Sequence, residues 1–150
     1  MTPQEWRAYV LGRLEEAGVT LLCLRDRPTP LAVRTGWPPV VQEWTAYAAE
    51  GAPLGWPAPS ARAIARMDEA LAWFALLPPP PDPVRHVVGA RMLVHPVRGD
   101  FLVSWRRLAV ALHTDHHRVQ RWHARGVALL AAALEKNFTN PLPGVPEYAT

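Results

Sequence analysis

Apolar residues recur at three- and four-residue intervals along most of this chain, the period of a helix with one buried face. Trp6, Val10, Leu14 and Ala17 open the series. Ahead of them, Thr2-Pro3-Gln4-Glu5 is a capping box. Thr2 accepts from the amide three residues on, Glu5 reaches back, and Pro3 suits the first helical position. Gly18 offers a stop, yet residues 19–24 stay apolar, and a mid-helix glycine costs only about 1 kcal/mol. The pattern predicts one helix over residues 3–24, with a short strand at 19–24 as the alternative.

Prolines and glycines interrupt the pattern over residues 27–38 and again over 51–59, where Trp56 sits between Gly55 and Pro57. Between these loops, Val40, Val41, Trp44, Tyr47 and Ala48 predict a helix over residues 39–50, stopped by Gly51. Trp56 reads as a plug in a groove of its own domain. Ser60 then caps a helix over residues 61–77, with Ile64, Met67, Leu71 and Phe74 as its stripe. Arg62, Arg66, Asp68 and Glu69 lie off that stripe, and adjacent Asp68 and Glu69 point in different directions on a helix, so they form no catalytic pair. Four prolines, 78–81, stop the chain, and Asp82-Pro83 restarts a helix to about residue 93 with Val84, Val87, Val88 and Met92 inward. The prolines read as a spacer before that restart, although such a run also fits polyproline recognition. His95-Pro96 and Arg98-Gly99-Asp100 form the next turn.

The last periodic block carries most of the information. Ser104 caps a helix over residues 105–112, in which Leu108 and Leu112 share a face. Ala109 supplies a small side chain where two helices cross steeply. Thr114 or Asp115 caps a second, longer helix reaching about Lys136, with Val119 and Trp122 facing back across the angle. The expected fold class is all-α, with five to six helices and a C-terminal helix-turn-helix at residues 104–125. The expected organisation is N-terminal helices and Pro-rich loops over 1–54, a helical domain over 55–136, and a flexible tail over 137–150.

Charge sharpens the block's meaning. The net charge of +3 is small. Residues 1–104 hold ten Arg against ten Asp and Glu, whereas residues 105–134 hold Arg106, Arg107, Arg118, Arg121 and Arg125 against Asp115 alone. The excess therefore sits in one stretch, as expected of a footprint on phosphates. A solvated helix face that happens to be basic has the same composition. Apolar residues make up 49% of the 150 residues, enough for a buried core. The 17 prolines fall mainly between the periodic blocks. The single cysteine, Cys23, excludes an internal disulfide and fits a reducing compartment. The acidic N-terminus is unlike a signal peptide, and no apolar run suits a membrane span. The expected location is the cytoplasm, with no membrane partner.

The small residue, the apolar quartet and the turn length of residues 104–125 resemble the helix-turn-helix of bacterial repressors and of the last region of sigma factors. Those families often carry glycine in the turn, where φ is positive. His113 stands there in this chain, a residue that tolerates the left-handed region at some cost. The resemblance implies that the second helix enters the major groove of double-stranded DNA by its N-terminal end. His116, His117, Gln120 and Arg121 are then the base-reading candidates. Arg121 suits guanine O6 and N7, and Gln120 suits adenine N6 and N7. Arg106, Arg107, Arg118 and Arg125 become the phosphate contacts. Beyond Gly126 the helix is too apolar for a groove and is expected to pack on the N-terminal helices or on a second subunit.

Residues 63–73, Ala-Ile-Ala-Arg-Met-Asp-Glu-Ala-Leu-Ala-Trp, followed by this helix-turn-helix, resemble an uncharacterised family of small proteins from proteobacterial phages and prophages. That resemblance spans about residues 55–136 and implies transcription regulation or small-terminase-like recognition of DNA for packaging. It brings no catalytic residues, and the protein is not expected to be an enzyme or to need a cofactor. His113 and His117 are four apart, but the turn falls between them and no further ligand completes a metal set. His113, His116, His117 and His123 are the candidates for such a set, and histidines at a helix start read instead as phosphate contacts or solvated groups. Ser60 and Ser104, the only serines, both read as caps. The alternative to DNA binding is a non-catalytic interaction module using the apolar end of the last helix. Besides double-stranded DNA, the expected partners include a second copy of the chain in a homo-oligomer.

Overall fold

The computed structural model describes residues 1–24 and 57–139. The expected helix at 39–50, its flanking loops with Trp56, and the tail from residue 140 lie outside the described residues. Among the described residues the periodicity translates into five α-helices: α1 Pro3–Leu24, α2 Ala61–Ala72, α3 Val84–Arg91, α4 Trp105–Ala111 and α5 His116–Thr139. Among the described residues there is no strand beyond an isolated bridge between Val94 and Phe101. No described helix is long and apolar enough to cross a membrane.

The capping box forms as the sequence predicts, with Thr2 Oγ1 accepting from the Glu5 amide at 3.2 Å and the Thr2 amide donating to the Glu5 carboxylate. α1 then runs through Gly18 without a strand at 19–24. A Cβ at Gly18 would lie 1.8 Å from the Met92 carbonyl oxygen, so glycine is there for close approach, not for a stop. The buried face of α1 is Trp6, Val10, Leu14, Ala17, Leu21, Leu22 and Leu24.

α2 starts as expected, with Ser60 Oγ accepting from the Ala63 amide at 3.1 Å. It ends earlier than residue 77 because the chain tightens into a 3-10 turn, Trp73–Leu76. Leu77 is extended before Pro78, as a residue preceding proline must be. The polar side of α2 is not idle. Arg66 forms a two-pronged bond to the Glu16 carboxylate at 2.6 and 2.9 Å, and Arg13 Nη2 meets Glu69 at 2.7 Å. Arg13 is buried, donates also to the Tyr9 hydroxyl at 2.8 Å, and stacks over Trp73. These groups stitch α1 to α2 along the edge of their apolar seam.

Asp82 Oδ1 accepts from the Val84 amide at 3.0 Å and opens α3, which ends at Arg91 instead of residue 93. The following turn closes through the Val94–Phe101 bridge. His95 Nδ1 accepts from the amides of Val97 and Arg98, and Arg98 pairs with Asp100 at 3.2 Å around a positive-φ Gly99. Arg98-Gly99-Asp100 is thus a local turn. α3 meets α5 at Gly126, where a Cβ would come within 2.6 Å of Val88 Cγ2 and 2.7 Å of Val84 Cγ1. α5 continues three residues past the expected end, to Thr139.

Candidate nucleic-acid interface

The helix-turn-helix is assembled from two caps and a bend. Ser104 Oγ accepts from the Arg107 amide at 3.1 Å and starts α4. At its other end the Thr114 amide reaches the Ala109 carbonyl at 2.9 Å, and the His113 amide reaches Val110 at 3.3 Å. That pair of bonds is a Schellman motif, whose geometry needs a left-handed residue at its centre. His113 is that residue, with φ of 53°. The position where the sequence lacks glycine therefore has the conformation for which glycine is usually chosen, and histidine carries the strain.

Asp115 caps α5 by accepting from the Arg118 amide at 3.0 Å. That amide, and then the Arg118 guanidinium, hold the Asp115 carboxyl below its ordinary pKa, so the cap stays ionised near neutral pH. Leu108 and Val119 are fully buried, Ala109 is buried, and Leu112 and Trp122 are half-buried. All five helix-turn-helix core residues belong to the central apolar cluster or pack against it.

The polar residues sort by exposure. His117, Gln120 and Arg121 are exposed on the first turns of α5, and His116 is half-buried with its ring 4.0 Å from that of His117. Arg106, Arg107 and Arg118 are exposed as well. Among the described residues no carboxylate lies within ion-pair distance of Arg106, Arg118 or Arg121. Arg125 is different, because its Nη2 meets Asp82 Oδ2 at 3.0 Å. Asp82 already caps α3, so this pair ties α5 to the start of α3 and offsets the Arg125 charge.

His123, further along α5, is turned inward. It packs edge-on against Trp105, with ring centroids 5.2 Å apart. Burial, and then the nearby Arg91 charge, push its pKa down to about 4, so it is neutral at physiological pH. Arg91 itself is buried between two aromatic faces, 3.7 Å from the Phe101 centroid and 3.9 Å from that of Trp105. No periodicity connects these four residues. The one signal available in the sequence was a basic residue, Arg91, within an otherwise apolar block. Among the described residues no three His, Cys, Asp or Glu side chains are grouped to hold a metal.

The chain matches no protein-family model, no curated protein and no solved structure.

Proposed function

We propose that this protein binds double-stranded DNA through α4 and α5, with the N-terminal turns of α5 in the major groove. The observation that carries the reading is a coincidence in one element. A Schellman turn leads into an Asp-capped helix whose first turns expose Gln120 and Arg121, flanked by exposed Arg106, Arg107 and Arg118. Gln120 and Arg121 have the side chains that read adenine and guanine edges. His117, and in part His116, border them. The arginines on either side hold phosphates, fixing position and not sequence. Arg125, committed to Asp82, contributes less. The resemblance to phage and prophage proteins supports a role in transcription regulation or in DNA recognition for packaging.

The second reading is an interaction module. Leu129 and Phe138 on the far half of α5, and Val110 on α4, are exposed large apolar side chains, Val110 and Phe138 by more than three quarters. Salt separates the two readings. Binding to genomic DNA fragments in a gel shift should weaken with a log–log salt slope of about −3 to −4 if three or four arginines displace counterions. No shift at low salt sinks the DNA reading and favours the module. Arg107→Ala should weaken binding on all sequences and Arg121→Ala at one base position. Light scattering then divides the roles, since a monomer or dimer disfavours a packaging ring.

A further inference from the structure

The guanidinium of Arg91 uses one corner of its hydrogen-bonding capacity. Nη1 donates to the Val103 carbonyl at 2.8 Å, while Nε is buried without a partner. Among the described residues no carboxylate lies within ion-pair distance of it. Phe101 and Trp105 lie over the group. Nε is sealed from water, so the donor left for an incoming anion is Nη2, which suits a charge-assisted bond to one carboxylate oxygen. Arg91 is only 8% exposed, so its charge is poorly hydrated and strongly favours an anion.

This side chain lines a cavity of about 190 Å3 between α1, α3 and the helix-turn-helix. Leu11, Leu14, Val88 and Met92 give it apolar walls, and His123 adds a neutral imidazole. Glu15 lines it too, close enough for its charge to act on Arg91. A cavity of about 150 Å3 holds one benzene ring, so this one admits a single-ring body with a small head group. The apolar walls offer nothing to the remaining oxygens of a phosphate, and Glu15 repels a second negative charge. One oxyanion on an apolar body fits both limits.

We infer that the cavity beside Arg91 is a binding site for a small apolar monocarboxylate, an aromatic or branched aliphatic acid, held by the buried charge of Arg91 through Nη2. The site stands apart from the DNA reading, although Trp105 begins α4 and His123 lies on α5, so an occupant touches both helices of the motif.

The test is calorimetric titration of the full chain with benzoate, with benzamide and inorganic phosphate as controls. Saturable benzoate binding with a Kd at or below about 1 mM is expected, with both controls at least about tenfold weaker, because neither places a single carboxylate against the Arg91 charge. Arg91→Met removes that charge and should weaken benzoate about tenfold or more. Leu11→Phe fills the cavity from a half-buried position and should abolish binding while circular dichroism stays unchanged. If Arg91→Met fails to fold, Leu11→Phe carries the test alone. No saturation by benzoate, equal affinity for benzamide, or undiminished binding in Leu11→Phe would each overturn the proposal.

Discussion

The two halves of α5 are one continuous helix in opposite surroundings. Over residues 116–125 only Val119 is buried, and the remainder is mainly exposed Arg, Gln and His. From Gly126 the helix turns inward, with Gly126, Val127, Leu130 and Ala131 buried against α3 and α1. Helix propensity does not distinguish the halves, because both propagate the same hydrogen-bond ladder. The difference is what each face meets. The first half needs only about one inward residue per turn to seat on α4, which leaves its other sides exposed. The second half is held by close approach and is committed to the core.

That contrast sets the scale of what mutations do. Leu130→Ala, in the buried half, should cost about 2–5 kcal/mol of unfolding free energy in urea, as expected for truncating a fully buried leucine. A comparable effect comes from acid, through His123 near the boundary. Its folded-state pKa of about 4 lies below the ordinary value of 6.5. The unfolded chain therefore takes up a proton that the folded chain refuses. Stability is full above pH 6.5 and falls as pH drops toward 4, by up to about 3 kcal/mol, and His123→Gln should flatten that slope in thermal melts. Gly126→Ala gains about 1 kcal/mol of helix propensity but drives a methyl into Val84 and Val88 at a cost of about 1–3 kcal/mol, for a net loss of up to about 2 kcal/mol.

In the exposed half the numbers shrink. His113→Gly, at the entrance to α5, removes left-handed strain and should raise stability by about 1 kcal/mol after the entropy of the unfolded glycine is subtracted. Arg121→Ala should leave the unfolding free energy within about 0.5 kcal/mol of the parent, and on the proposed function it should change DNA affinity all the same. If Arg121→Ala costs as much stability as Leu130→Ala, the division of α5 fails.

Much of this was readable from the chain because it is local. The capping box at Thr2 and Glu5, the caps at Ser60, Asp82 and Ser104, and the stripes of α1 and α2 each depend on residues within one or two turns. So does the conformation at His113, whose place after Leu112 sets its role whatever residue fills it. Gly126 marks the change along α5 for the same reason. The unread parts join residues far apart in sequence. Arg13 finds Glu69, Arg66 finds Glu16, and Arg125 finds Asp82 across helix seams that polar periodicity cannot place. Gly18 looked like a terminator because its contact, the Met92 carbonyl, lies 74 residues away. Arg91, Phe101, Trp105 and His123 come from α3, a turn, α4 and α5, and nothing short of the folded chain groups them.

The crossing at Gly126 also has a mechanical side. Ten residues, about 15 Å of helix, separate it from His116. The valine methyls that a Cβ at Gly126 would meet leave α5 little freedom to slide along α3 there. A side chain at that crossing that tilted α5 by about 5° would displace the exposed tip by about 1.3 Å. On the DNA reading proposed above, a displacement of that size is enough to break a bidentate bond to a base, so the smallest residue of the helix bears on its most distant turns.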